Sequence, residues 1–240
     1  MSANLSIVMP VFNEAEGIAE FINEIRVNFK TVKPTLVIVD DCSTDETWSI
    51  LSKMKKQSND LILVQNQINL GHGQSTMRAL QNGLLENIAF VMSIDGDGQF
   101  LGDEMFNFYK AFCVVNSSYG EGVRVFRQDP WFRKIISLMT RLLVFTKSGR
   151  RTIDANTPAR IYKAETLGNL IKKIESTSLV PNLRMSIEVR KTGIDIFSYK
   201  LTSIPRRAQS SQGSSWGTRK TIFPNKRLIQ FCKKAIKEFM

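Results

Sequence analysis

The first hundred residues alternate short β-branched runs with longer stretches of helical period, and this rhythm restricts the fold more than any other feature of the chain. Strand-like runs at Leu5–Met9, Leu36–Val39, Leu61–Gln65 and Ala89–Ile94 are separated by helical patterns near Glu14–Phe29, Asp45–Lys56 and Gln74–Asn87. Four βα steps of this kind predict an α/β fold, a mostly parallel sheet with helices on both faces. Strands buried on both sides leave the loops at their carboxyl ends as the place for ligands. The chain has 240 residues, within the reach of a single core.

Beyond Phe100 the rhythm weakens. Arg133 to Lys147 reads as an amphipathic helix, Ala159–Tyr162 as a short strand, Asn182–Lys191 as a helix and Ile194–Ser203 as another strand. A Ser/Gln/Gly-rich loop from Ala208 to Thr218 precedes a terminal helix from about Asn225. The expected organisation is one unit over 1–223, in two halves at 1–100 and 101–223, followed by a basic helix at 224–240. Cys42, Cys113 and Cys232 suit neither a disulfide framework nor a zinc spacing. The expectation is a reducing compartment, with no signal peptide before the apolar run at Leu5 and no run long enough to span a bilayer.

The residues after the strand runs are acidic. Pro10-Val11-Phe12-Asn13-Glu14 follows the first, Asp40-Asp41-Cys42-Ser43-Thr44-Asp45 the second, and Asp95-Gly96-Asp97-Gly98-Gln99 the fourth. Asp95 and Asp97, one glycine apart, suit a hard divalent cation that keeps open positions for phosphate oxygens. Asp-Gly-Asp-Gly by itself also reads as a turn; its place at the end of a buried strand favours a site. Ser43 or Thr44 is expected to cap the following helix, with Asp45 and Glu46 in its positive first turn. That leaves Asp40 and Asp41 to accept hydrogen bonds from a base or ribose, with Asn13 and Glu14 in a similar role. Asn69-Leu70-Gly71-His72-Gly73 is a glycine-bearing turn into a helix, and His72, the one histidine, reads as a loop polar group.

These motifs, in this order and spacing, resemble glycosyltransferase family 2, with a GT-A fold, and within it the branch of dolichol-phosphate mannose synthases and polyprenyl-phosphate sugar transferases. The likeness runs from Leu5 to about Ser215, through Met9–Glu14, Val39–Thr47, Asn69–Gly73 and Asp95–Gln99, then Gly122-Val123-Arg124, Arg133 to Ser137, and Ile153-Asp154-Ala155-Asn156 with Arg160. It implies a nucleotide site at Pro10, Val11, Asn13, Glu14, Asp40, Asp41, Gly71, Asp95 and Gly96. It implies Mg2+ or Mn2+ at Asp95, Asp97 and Gln99, and an acceptor phosphate at Arg124, Arg133 and Ser137. Asp97, Arg124, Arg133 and Asp154 are the catalytic candidates. Of the branch's Arg-x-x-Gly-x-Ser lid motif, Gly213 and Ser215 match while Ser210 stands at the arginine position, so Arg206 or Arg207 is the expected substitute in a lid at 206–220. Cys42 stands where relatives often have glycine or asparagine.

The expected activity is inverting, metal-dependent transfer of a sugar from a GDP- or UDP-sugar to a polyprenyl phosphate. A phosphate monoester is largely a dianion at neutral pH and needs no general base. The alternative is transfer to a saccharide or protein hydroxyl, with Asp154 or Asp129 as base. A nucleotidyltransferase is expected to carry a glycine-rich basic loop where Asn13 and Glu14 stand.

The chain carries 33 Lys and Arg against 22 Asp and Glu, a net +11, and residues 200 to 240 hold ten of the basic residues with one acid, Glu238. A nucleic-acid partner would explain the charge but not the acidic strand ends, and no reader motif is present. The terminal stripe of Leu228, Ile229, Phe231, Cys232, Ala235, Ile236, Phe239 and Met240 has helical spacing with lysines and arginines on the other side. It either packs on the domain's core or lies on an anionic membrane, and its five cations favour the membrane. The expected location is the cytoplasmic face of a membrane, with peripheral contact or a membrane-spanning partner protein.

Overall fold

The structure is a computed structural model that describes residues 5–125 and 131–207, together with residues 229, 232 and 235–239 near the C-terminus. The elements in chain order are β1 (Leu5–Val11), α1 (Ile18–Asn28), β2 (Thr35–Asp40), α2 (Thr47–Gln57), β3 (Leu61–Gln65), α3 (His72–Gly83), β4 (Phe90–Ser93), α4 (Gly102–Val115) and β5 (Tyr119–Val125). They continue with α5 (Trp131–Ser148), β6 (Arg160–Lys163), α6 (Ala164–Ile171), α7 (Pro181–Lys191) and β7 (Ile196–Thr202). Asp129 and the lid segment from Ala208, with Ser210, Gly213 and Ser215, lie outside the described residues.

Seven strands form one sheet in the order β3-β2-β1-β4-β6-β5-β7. Its pairs are parallel except those of β6, which runs antiparallel to both β4 and β5. Two antiparallel steps restore direction, so the carboxyl end of β5 lies on the same edge as those of β1, β2 and β4. Alternation along the central strands fills both faces. Leu5, Ile7 and Met9 of β1, with Leu36 and Ile38 of β2, join the cluster under α1 and α4 that holds Phe21, Phe29 and Phe108. Val8, Val37 and Val39 point the other way, into the cluster of Met77, Leu80, Leu167 and Met185.

Three elements were hidden from pattern reading: α4, β5 and α6. The β5 sequence, Tyr-Gly-Glu-Gly-Val-Arg-Val, lacks a strand-like composition because aromatic and leucine side chains occupy the space beside it. A Cβ at Gly120 would stand 2.9 Å from the Phe112 ring, and one at Gly122 would stand 2.5 Å from Leu201 Cδ1. Glu121 between them is buried and neutralised by Arg190 at 2.7 Å.

The described C-terminal residues meet the domain. Ala235 and Phe239 pack on the cluster of Val144, Ala155, Val180, Leu183 and Ile187. Glu238 accepts from Ser178 Oγ at 2.5 Å, the Leu179 N–H at 2.9 Å and Arg184 Nε at 3.1 Å. This is the core-packing alternative for those two positions of the stripe, whereas Ile229 and Ile236 are exposed.

The close seating of α3 on β1 is testable. Ser6 Oγ donates to the Gly83 carbonyl at 2.7 Å, and a Cβ at Gly83 would stand 2.3 Å from Val8 Cγ1. Gly83→Ala is expected to lower the free energy of unfolding by about 1–3 kcal/mol through overpacking. Urea denaturation measures it, and unchanged stability would contradict this packing.

Candidate active site

The parallel register sets the site. Val11 of β1 lies opposite Asp40 of β2, the Asp41 N–H donates to the Val11 carbonyl at 2.9 Å, and the Gly96 N–H donates to the Pro10 carbonyl at 3.2 Å. Pro10, Val11, Asn13, Glu14, Asp40, Asp41, Asp95, Gly96 and Asp97 therefore share one edge. Gly96 belongs there because a Cβ would stand 2.3 Å from Val11 Cγ1.

Each loop holds its neighbour. Asn13, at φ 54°, receives the Thr44 N–H on Oδ1 at 2.8 Å, and its own N–H donates to Ser43 Oγ at 3.0 Å. Ser43 and Thr44 are thus spent on β1, and the expectation that one of them caps α2 is corrected: Asp45 Oδ1 accepts from the Thr47 N–H at 3.0 Å and binds its hydroxyl. Asp41 holds the next turn, taking Asn66 Nδ2 at 2.7 Å, the Leu70 N–H at 2.8 Å and the Gly71 N–H at 2.9 Å. Asp40 is fully buried. Its Oδ2 accepts from the Ser43 N–H at 3.1 Å, while Oδ1 has no hydrogen-bond partner among the described residues. Cys42 takes φ 60°, the left-handed region that glycine and asparagine enter most readily.

The turn carrying Asp95 and Asp97 is closed from below by the residues after β7. The Ile204 N–H donates to the Gln99 carbonyl at 3.0 Å and the Arg207 N–H to the Asp97 carbonyl at 3.2 Å; the Gln99 N–H donates to Asp97 Oδ1 at 3.2 Å. Arg206 reaches into the edge and pairs with Glu14, NH2 to Oε1 at 2.5 Å and Nε to Oε2 at 3.1 Å. Arg207 lies under the turn, its Nε donating to the Gly98 carbonyl at 3.2 Å, and its guanidinium ends on Glu20 at 2.7 Å and on Glu24, over the face of Phe21. Of the two expected lid substitutes, Arg206 is the one beside the strand-end carboxylates. His72, at the start of α3, lies with Nε2 3.7 Å from Asp95 Oδ1. Asn66, Arg206 and His72 complete the edge through contacts distant in sequence; Arg206 was one of two expected lid substitutes and His72 an expected loop polar group, while nothing in the sequence pointed to Asn66.

Arg124 stands at the carboxyl end of β5 in a two-pronged pair with Asp154, Nε to Oδ2 at 2.7 Å and NH2 to Oδ1 at 2.9 Å. The loop bearing Asp154 is fixed by Arg160, wholly buried, which donates to the Thr157 carbonyl at 2.9 Å, Tyr119 Oη at 2.6 Å, the Asn182 carbonyl at 2.7 Å and Ser186 Oγ at 2.9 Å. Arg133 and Ser137 sit one turn apart on α5, hence on one helical face.

Charge is crowded at the edge. Burial pushes the Glu14 carboxyl up to about 8, against the pull of Arg206 and with help from Asp97 and Asp95. Burial and the Asp95 charge push Asp97 up to about 7, against the Gln99 N–H and Arg206. Among the described residues no three His, Cys, Asp or Glu side chains gather to hold a metal. The Asp95 and Asp97 pair nevertheless suits a divalent ion that takes its other ligands from a diphosphate, since an added cation relieves the repulsion that raises Asp97.

Both shifts raise an acid above its unfolded value, so the folded chain binds more protons than the unfolded chain between about pH 4 and 8. These two groups therefore make stability fall as pH rises through that window. In EDTA the melting temperature of Asp97→Asn is expected to decline less than that of the wild type between pH 5.5 and 8. Parallel declines would contradict the crowded-edge account.

Residues 6–167 match the sequence profile of the family described as Glycosyl transferase family 2. The chain is 25% identical over 197 residues to the undecaprenyl-phosphate 4-deoxy-4-formamido-L-arabinose transferase of Serratia proteamaculans, a match covering 80% of this chain and 59% of that protein. The chain thus spans about three fifths of the length of the curated relatives it matches. Among solved structures it is similar to the mannosyltransferase PcManGT of Pyrobaculum calidifontis in complex with GDP-Man and Mn2+, at TM-score 0.60 and 18% identity over 98% of this chain and 64% of that one. It is also similar to the glucosyl-3-phosphoglycerate synthase of Mycobacterium tuberculosis in complex with Mn2+ and UDP-glucose, at TM-score 0.56 and 15% identity over 88% and 73% of the two chains. These likenesses establish the GT-A fold, and with the profile covering residues 6–167 the chain belongs to glycosyl transferase family 2.

Proposed function

We propose that this protein transfers a sugar, with inversion, from a GDP- or UDP-sugar to a polyprenyl phosphate. The observation that carries the reading is the single edge on which Asn13, Asp40, Asp95 and Asp97 converge, with Arg124 at the end of β5 on the same side. The family and a relative described as an undecaprenyl-phosphate sugar transferase support the acceptor class.

In this reading Asp40, with its unpartnered buried Oδ1, accepts a hydrogen bond from the nucleoside, and Asp41 acts indirectly by holding the turn that ends at Gly71. Asp95 and Asp97 would hold Mg2+ or Mn2+, with the Gln99 side chain as a candidate further ligand. When bound, this ion is a Lewis acid that neutralises charge on the departing diphosphate. Arg133 and Ser137 bind the acceptor phosphate. Arg124 is held in place by Asp154 and faces the same group.

The chemistry follows from charge. A phosphate oxygen of the acceptor attacks the anomeric carbon from the side opposite the nucleotide, the bond from that carbon to the β-phosphate oxygen breaks, and the nucleoside diphosphate leaves with the electron pair. The acceptor is already a dianion at neutral pH, so no side chain has to remove a proton. This accords with Asp154, whose two carboxylate oxygens are both taken by Arg124. Membrane association is part of the proposal because the acceptor is a membrane lipid. Among the described residues no helix is long and apolar enough to cross a bilayer.

The test offers labelled GDP- and UDP-sugars with Mn2+ and either a water-soluble short-chain prenyl phosphate or a saccharide. Transfer to the prenyl phosphate is expected, falling as the acceptor is protonated below about pH 6. Arg133→Ala is expected to lower kcat/KM about 10- to 100-fold, the worth of one hydrogen bond to a charged group. Transfer to the saccharide alone would move the protein to the hydroxyl-acceptor reading.

A further inference from the structure

We propose that Glu238 is a positioning residue for the nucleotide site, acting through the Ser178–Leu179 peptide on the glycine turn that opens α3. The inference rests on the donor reading above and extends it to a residue of the C-terminal segment.

The turn Gly71-His72-Gly73 is gripped from two sides. From the first half of the chain, Asp41 holds it through the Leu70 and Gly71 N–H groups. From the second half, the peptide joining Ser178 to Leu179 lies against Gly73. A Cβ at Gly73 would stand 2.5 Å from the carbonyl oxygens of both residues. A contact of backbone on backbone has no flexible side chain to absorb a shift, so α3 begins where that peptide allows it to. His72, between the two glycines, has its Nε2 3.7 Å from Asp95 Oδ1. Whatever moves Gly73 therefore moves a neighbour of the carboxylate pair.

The peptide that backs Gly73 lies in the connection between α6 and α7, and Glu238 holds it there. The Leu179 N–H donates to Glu238 Oε2 at 2.9 Å, and the buried Ser178 hydroxyl donates to Glu238 Oε1 at 2.5 Å. One carboxylate thus spans the two residues whose carbonyls meet the turn. Glu238 is itself well fixed, with its side chain 16% exposed. Arg184 donates from Nε to Oε1 at 3.1 Å and from NH2 to the Glu238 carbonyl, and lies over the Phe239 ring, 4.3 Å from its centroid. Phe239 and Ala235 seat the segment on the Val144 and Leu183 cluster. A segment that only covered apolar surface would not need an acid whose two oxygens are divided among a buried hydroxyl, a peptide N–H and a guanidinium.

Sign separates positioning from charge. A nucleoside diphosphate is an anion, so removing a carboxylate from its surroundings favours binding on charge alone. Loosening the turn does the opposite, because the ligand then has to order a segment that was already in place.

Hydrogen exchange of the nucleotide-free chain, together with titration of UDP and GDP in Mn2+, tests this on Glu238→Ala and Glu238→Gln. Glu238→Ala is expected to speed exchange at least tenfold at residues 70–76 and 178–180, to leave β1 and β2 unchanged, and to weaken nucleotide binding at least fivefold. Glutamine keeps an oxygen for the Leu179 N–H and a donor for the Ser178 hydroxyl, and is expected to stay within twofold of the wild type in both measurements. The proposal is overturned if exchange in the turn is unchanged, or if it rises equally throughout the chain, as a general loss of stability would make it. It is also overturned if the alanine variant binds nucleotide as well as the wild type or better. Should the wild type bind neither nucleotide while Glu238→Ala still loosens the turn alone, the mechanical coupling stands and the donor reading falls.

Discussion

Glu14, Asp95 and Asp97 are held together at the carboxyl edge of a parallel sheet, where burial denies Glu14 and Asp97 the solvation that carboxylates ordinarily have. Among the described residues Arg206 reaches in to pair with Glu14, and its pull on Asp97 falls short of offsetting the burial and the Asp95 charge that keep the Asp97 carboxyl raised. A site with this balance favours the arrival of positive charge together with groups that share it. A divalent ion and a diphosphate meet that requirement jointly. The loops around the edge are then best understood as devices that keep the carboxylates from moving apart: Asn13 ties β1 to the loop after β2, Asp41 ties that loop to the turn before α3, and the Arg207 backbone closes the turn at Asp97.

The second half of the chain extends this edge by reversing direction twice. The antiparallel β6 between β4 and β5 returns β5 to the direction of β1, so Arg124 emerges beside the first half's loops. Arg160, the first residue of β6, replaces solvent with five acceptors in an otherwise buried environment, and in doing so fixes the segment from Ala155 to Thr157 and with it Asp154. Removing that guanidinium would leave several buried carbonyls unsatisfied at once, which is the costly way to lose a buried polar group. The side of the site that carries Arg124 and Asp154 therefore rests on a polar hub rather than on apolar packing.

The first half was legible because its strands obey period-two alternation and its acids follow them directly. The carboxylates, the glycine turn and the helices α1 to α3 all stand where the βα rhythm puts them. What escaped were residues whose role arises from contacts across the fold. Gly120 and Gly122 disguise β5 because Phe112 and Leu201 take the space of their side chains. Ser43 and Thr44 look like helix caps, yet Asn13, thirty residues earlier, competes for them and wins. Arg206 and Arg207 are adjacent and chemically alike, and only the fold separates one into the site and the other onto α1. The terminal stripe divides for the same reason: its spacing shows a helix, but whether a given apolar position faces the core or the solvent depends on the Val144 and Leu183 cluster that receives it.

Nucleotide binding through the carboxylate pair is what this edge requires above all, and calorimetric titration of UDP and GDP into the protein measures it directly. With Mn2+ at pH 8, one of the two nucleotides is expected to bind. That binding should weaken at least tenfold in EDTA or with Asp97→Ala, and also weaken as pH falls below about 7, where Asp97 takes up its proton. Equal affinity in EDTA and in Mn2+, with Asp97→Ala indistinguishable from the wild type, would contradict it.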